Sequence, residues 1–407
     1  MSSSRFQGLF ALPVVVAALG FFVDVYDLLL FSIIRKQSVQ ALGCTPDEVL
    51  SQGEWLISIQ MTGLLIGGVL WGIFGDRYGR VKVLFGSILL YSLANFANAF
   101  VTDTSQYAIL RFVAGLGLAG ELGAGVTLVI EILPKEKRGI AAAFVSGLGI
   151  LGAVAAFMVS RLVDWRVCFA VGGMMGMLLL LLRVRIMESS LYHAVAGKSV
   201  SRGDFRMFFN DRKRFVRYFR LVLMGIPAWF IIGVMVSFSD KFAEAMHISG
   251  VDPGKGIMFT YLFISLGDMS VGLLSNWLKS RKKVIYIFYG ITALFMVIFY
   301  SGWPSTPGDI YFLCCGLGFG SGFTVVYITM SGEQFGTNLR ATAAVSIPNM
   351  IRGALPLIIL LFHFLRDLAG DYLTGGMITG ALLMSVAVSA ALVTEETFGK
   401  DLDFVEE

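Results

Sequence analysis

The stretch Gly72-Ile-Phe-Gly-Asp76-Arg77-Tyr-Gly79-Arg80-Val-Lys82 closes one long apolar run, and Gly272-Leu-Leu-Ser-Asn276-Trp-Leu-Lys279-Ser-Arg281-Lys282-Lys283 closes another. A second pair follows in the same order. Glu131-Ile-Leu-Pro134-Lys-Glu-Lys-Arg138-Gly139 and Glu333-Gln-Phe-Gly-Thr-Asn-Leu-Arg340-Ala each come after a further apolar run. Two echoes at equivalent places imply a duplicated chain. Duplicated halves built from apolar runs make a transporter architecture, with its site where the repeats meet.

Composition agrees with that reading and excludes most others. The 407 residues are 56% hydrophobic and 15% charged, against about 45–50% and about 25% in an ordinary globular protein. Mean hydropathy is +0.77. A soluble fold of this size could not hide so much apolar surface. Charge is too sparse for a nucleic-acid partner or a disordered chain, and the net +4 names no polyanion. Cys44, Cys168, Cys314 and Cys315 lack metal-type spacing and read as small buried hydrophobes. The first apolar stretch carries Asp24 and Asp27 and runs on to Ile34. It is longer than a secretory signal core, so it reads as a retained helix, and no lipidation motif is visible.

Crossing about 30 Å of hydrocarbon takes about 20 mostly apolar residues. That window finds runs near Phe10–Ile34, Trp55–Phe74, Val83–Phe100, Gln106–Ile130, Ile140–Arg161 and Val167–Leu182. After a polar gap they resume near Phe219–Phe238, Gly256–Leu278, Val284–Tyr300, Ile310–Met330, Ala341–Leu365 and Leu373–Val393. The expected protein is all-α and polytopic, with twelve transmembrane helices in two pseudo-symmetric six-helix bundles. Its parts are a first bundle over 1–187, a basic linker over 188–217, a second bundle over 218–394 and an acidic tail over 395–407. Lys and Arg gather in alternate loops, at 77–82, 135–138, the linker, 279–283 and 340, whereas 101–105 and 301–309 have none. The positive-inside rule makes those basic loops, the linker and both termini cytoplasmic. The membrane is then a plasma membrane, the inner one in a bacterium.

At this point the chain resembles the major facilitator superfamily over nearly its whole length. The Gly-Asp76-Arg77-Tyr-Gly-Arg80 loop is similar to that family's signature between spans two and three. Glu188-Ser-Ser and Glu396-Thr397-Phe-Gly399-Lys400 look like motifs of its sugar-porter-like branches. Gly20-Phe-Phe-Val-Asp24-Val-Tyr26-Asp27-Leu most resembles span one of proton-coupled phosphate and aromatic- or organic-acid symporters. Arg111-Phe-Val-Ala-Gly115-Leu-Gly117 is similar to span four of those branches and of sugar porters. The resemblance implies alternating access driven by a proton gradient. There are departures. Asn276-Trp277 stands in place of a second Asp-Arg, which weakens that latch. Gly336 replaces the Pro of the Glu-x-Phe-Pro-Thr loop, and Asn349-Met-Ile-Arg352-Gly353 replaces the Lys-containing pattern of phosphate symporters.

Ionisable groups inside a bilayer cost at least about 2.5–3.5 kcal/mol each and mark function. At about 1.5 Å per residue, Asp24 and Asp27 lie roughly 21 and 25 Å from the cytoplasmic face, with Asp27 at the depth of Arg111. Three residues apart, the two acids share a helical face. An acid that meets an arginine in apolar surroundings can take a proton when the cation moves off. Asp27 is therefore expected to carry the proton with Arg111 as modulator, or the two form a permanent structural pair. Asp24 is the rival carrier. Glu121 is a further candidate for proton release or binding. Asp268 and Arg352 both fall roughly 18 Å deep, near the midplane. A planar guanidinium there suits a carboxylate or phosphate, so Arg352 is either the anion ligand or the partner of Asp268, and Asp268 either serves gating or coupling or pairs structurally.

Gln60, Trp229, Tyr261, Tyr327 and Asn349 lie at depths that could line the cavity, although aromatic residues in such helices are more often packing or interface anchors. Asp76, Arg77, Arg80, Glu131, Arg138, Glu333 and Arg340 form the expected cytoplasmic gate. Asp76 is placed to cap a helix N-terminus, and Glu131 to pair with Arg80 or Arg138. No zinc-protease His motif, phosphate-binding Gly-Lys loop or nucleophile elbow occurs, so neither an enzyme nor an ATP-driven pump is expected. The chain reads as a proton-coupled importer of a small anionic solute, with no cofactor beyond the proton. The lipid bilayer is its other partner, and one chain suffices as a transport unit. The alternatives are a neutral-solute transporter, such as one for sugars, and a non-transporting membrane sensor.

Overall fold

The computed structural model describes residues 12–45, 47–183 and 203–406, and all regular secondary structure among them is helical. Among the described residues, twelve helices are long and apolar enough to cross a membrane. Spans 1 to 6 are Leu12–Ala41, Glu48–Tyr78, Arg80–Asn98, Thr104–Val129, Ile140–Leu162 and Trp165–Leu182. Spans 7 to 12 are Arg212–Val236, Pro253–Leu278, Arg281–Tyr300, Pro307–Gln334, Arg340–Ala369 and Tyr372–Val393. Each apolar run of the sequence becomes one span, in order. Spans 1 and 2 outlast their runs, because hydropathy stops at the first charges while backbone hydrogen bonding does not. Arg35 continues the first helix and is itself buried.

Within the first half, span 1 packs on span 5, span 2 on span 4, and span 3 on span 6. In the second half, span 7 packs on span 12 and span 8 on span 10. The halves meet along spans 2 and 11 and along spans 5 and 8.

Several interior spans are interrupted partway along. Span 4 breaks between Leu118 and Glu121, span 5 at Leu151, span 10 between Ser321 and Thr324, and span 11 at Ala354. Span 7 carries Pro227 and then a π-helical turn over Ile231–Val236. A membrane tolerates such breaks only where protein or a cavity surrounds the freed backbone groups, and broken helices are where transporters build their sites.

Residues 188–202 of the expected linker lie outside the described residues, and its last six, 212–217, form the start of span 7. The stretch between, 203–211, returns beneath the protein, with Gly203 donating to the Asn338 carbonyl at 3.0 Å and Phe208 buried against Phe335 and Tyr218. The face holding the loops after spans 2, 4, 8 and 10 is called here the basic face.

Candidate functional site

Span 1 carries its two acids to different surroundings. Asp24 is fully buried and meets Arg352 of span 11 at 3.8 Å, across the junction of the halves. The Arg352 guanidinium lies over the Trp229 ring at 5.9 Å, and its charge faces Tyr261 and Tyr327. The charge of Glu121 also reaches Asp24, and Glu121 accepts the Ser87 hydroxyl at 3.5 Å. One cation, an acid and three aromatic rings thus converge from spans 1, 7, 8, 10 and 11. A planar guanidinium beside an indole face presents a donor fork next to a flat apolar wall.

Two pairings that the sequence left open are not made. Arg352 does not pair with Asp268. Asp268 accepts the Ser146 hydroxyl from span 5 and the Val325 N–H at 3.4 Å. It caps the second segment of span 10, whose break at Ser321–Thr324 exposes backbone donors that attract an anion. Arg111 does not pair directly with Asp27. It donates to Asn95, and to Asn98 at 3.3 Å, and its guanidinium lies 4.5 Å from the Phe169 ring centroid. Asn95 stands beside both residues, and the two charges remain close enough to interact. Both Asp27 oxygens are buried, with the Asn95 side chain as their polar neighbour. Gly172 makes room for this carboxylate, since a Cβ there would collide with Asp27 Oδ1.

Gln60 and Asn349 were expected to line the cavity but serve the scaffold. Gln60 donates to the Leu28 carbonyl at 3.4 Å, bracing span 1 next to Asp27. Asn349 donates to the carbonyls of Ala119 at 2.7 Å and Val345 at 2.8 Å, tying span 11 to the break in span 4. The direction of both residues around their helices was not available from depth.

The basic face is closed by a buried network between the halves. Asp76 accepts the N–H groups of Ala341 (3.1 Å) and Thr342 (2.8 Å) and the Thr342 hydroxyl (2.6 Å), capping span 11 from the other half. Arg80 meets Glu131 at 2.9 Å and Asp76 at 3.3 Å. Glu131 also meets Arg340 of the second half at 3.3 Å. The second repeat reproduces part of this, with Arg281 on Glu333 at 2.9 Å and Thr397 donating to Glu333 at 2.7 Å. Arg77 is exposed beside Gly203. The Arg138 side chain lies outside the described residues.

The opposite face carries three pairs between the halves that the sequence reading missed. Lys36 meets Asp240 at 2.8 Å, Arg161 meets Asp252, and Glu54 faces His363 at 3.5 Å. A cavity of about 250 Å³ opens there among spans 1, 5 and 8. Nothing in the sequence flags these pairs, since each partner is an ordinary helix-end charge. Asn95 and Asn98 did leave a signal: two amides three residues apart inside an apolar run.

Duplicated halves of membrane helices, charges buried at their junction and ion pairs between the halves at each end define a membrane transporter. Residues 17–360 match the Major Facilitator Superfamily, and the chain belongs to that family. It is 28% identical to the niacin transporter NiaP of Acinetobacter baylyi, over 96% of this chain and 95% of that protein. It is 24% identical to the gentisate transporter of Corynebacterium glutamicum, over 93% and 87%. Among solved structures, the proton:xylose symporter XylE shares the fold with a TM-score of 0.76 at 18% identity, covering 99% and 98% of the two chains.

Proposed function

We propose that the protein imports a small aromatic or heteroaromatic carboxylate together with a proton, by alternating access, with the basic face toward the cytoplasm. The observation that carries this reading is the Asp24–Arg352 pair across the junction, beside Trp229. A solute carboxylate suits the Arg352 fork, and its ring suits the indole. The relatives named for niacin and gentisate transport support the same solute class.

Coupling follows from competition for one cation. When the solute takes Arg352, Asp24 loses its partner inside a medium that penalises an isolated charge. Taking a proton removes that penalty, so solute and proton bind together. Release toward the cytoplasm reverses the order: the solute leaves, Arg352 returns to Asp24, and the proton departs. In this scheme Asp24 is the acid coupled to the solute. Asp27, linked through Asn95 to Arg111, is a second acid that responds to movement of span 4.

The test is uptake into liposomes with and without an acid-outside gradient, using labelled nicotinate, benzoate, gentisate and xylose. Gradient-driven accumulation of an aromatic acid is expected. Accumulation of xylose alone would overturn the anion reading, and gradient-independent flux of the acids would overturn proton coupling.

A further inference from the structure

The chain after span 12 does not lead away from the protein. Glu396 accepts the N–H groups of Arg281 at 2.8 Å and Lys282 at 3.3 Å, capping span 9. Residues 401–406 then run along the loop that joins spans 10 and 11. The Phe404 carbonyl accepts the Thr337 N–H at 2.8 Å. Glu406 and Asn338 exchange two hydrogen bonds, at 2.8 and 2.9 Å, and Arg217 meets the Glu406 carboxylate at 3.0 Å. Leu402 is 1% exposed, and its carbonyl accepts from the Thr337 hydroxyl and from Arg340 Nη2.

The last of these contacts touches the gate. Arg340 uses Nη1 for Glu131 across the junction, Nε for the Gly332 carbonyl and Nη2 for the Leu402 carbonyl. A long cation reaches a partner only at the entropic cost of holding one rotamer. Here two carbonyls hold it, one of them from the tail. Gly336 admits the tail: a Cβ at that position would lie 2.6 Å from the Glu406 nitrogen and 2.8 Å from Val405 backbone atoms. The sequence departure at Gly336, where the resembled loop has Pro, falls where the tail backbone needs the space.

We infer that residues 401–406 are an intramolecular strap that holds the basic-face gate shut, by docking over Gly336 and fixing Arg340 toward Glu131. Undocking leaves Arg340 with fewer acceptors and more rotamers, so the pair between the halves weakens without any change in its own residues. The strap is a positioning element on the basic face.

The experiment measures the distance between spin labels at the exposed Tyr78 and Trp277, on the basic-face ends of spans 2 and 8, in the full chain in nanodiscs. Gly336→Val blocks docking sterically. The double variant Leu402→Ala, Glu406→Ala weakens docking and leaves the loop untouched, which covers the case in which Gly336→Val does not fold. A strap predicts that the long-distance, open population rises about fivefold in each folded variant, the shift expected for losing about one net hydrogen bond. Folded variants whose distance distributions match the parent would overturn the inference, even if their thermal stability falls. A merely structural tail would move stability and leave the distances in place.

Discussion

At the scale of single residues, the proposed function concentrates on Arg352. Its removal leaves Asp24 buried without a cation and the solute without a fork, and truncating one member of such a pair typically costs 2–5 kcal/mol. Arg352→Ala is therefore expected to weaken nicotinate binding by at least roughly 30-fold, read by calorimetry on the purified protein. Arg352→Lys should recover only part of this, because a point charge does not match both carboxylate oxygens. Unchanged affinity in Arg352→Ala would remove the residue from the site. Asn95 is the other residue whose part depends on its neighbours. Asn95→Leu keeps the approximate size and deletes an acceptor of Arg111. A loss of about 1–3 kcal/mol in unfolding stability is expected, the cost of a buried donor left unmade.

At the scale of elements, two spans begin on acids supplied by other segments. Asp76 caps span 11 and Glu396 caps span 9. Partial burial pushes the Glu396 carboxyl up, but hydrogen bonds from Ser280 and from the N–H groups of Arg281, Phe398 and Lys282 outweigh it and hold it below the usual carboxylate range. A group whose folded pKa is depressed stabilises fully above its unfolded value and loses that contribution as pH falls through the folded one. Glu396→Gln should therefore lower the thermal midpoint at pH 7, with the difference from the parent shrinking below about pH 4. An undiminished difference in acid would mean that the charge does not matter to the cap. Asp76→Ala removes the acceptor of three donors. A cap of this kind is worth about 0.5–2 kcal/mol, here spent on contact between the halves. Alkylation of a cysteine introduced at Thr337 should then quicken from the basic face.

At the scale of the molecule, the two latches are unequal. On the basic face, Arg80, Glu131 and Arg340 are almost wholly shielded from solvent, and breaking one member of a buried pair costs about 3–5 kcal/mol. On the opposite face, the Lys36 and Arg161 side chains are 58% and 54% exposed, and pairs of that kind contribute about 0–1 kcal/mol. The empty protein is therefore expected to rest closed at the basic face and to open more readily at the other. A cysteine at Tyr261 should react faster with an impermeant reagent added opposite the basic face, and Arg340→Ala should reverse that preference. Equal rates from both faces would show that the latches are balanced.

The sequence by itself determined the twelve apolar runs, the internal repeat, the alternation of basic loops and the span on which each buried charge lies. All of these are local, since the count of residues along a helix fixes height and composition fixes solvent. Only the tertiary structure decided which groups face one another. Asp24 met Arg352, Arg111 turned to Asn95 and Asn98, Asp268 capped a break in span 10, and Asn349 became a strut. These outcomes depend on how each helix is rotated about its axis and on which span lies beside it. Breaks at Ala119–Gly120 and Gly322–Phe323 alter that rotation partway along a span. The docking of the tail over Gly336 lay equally beyond reach, because a glycine announces space and not what fills it.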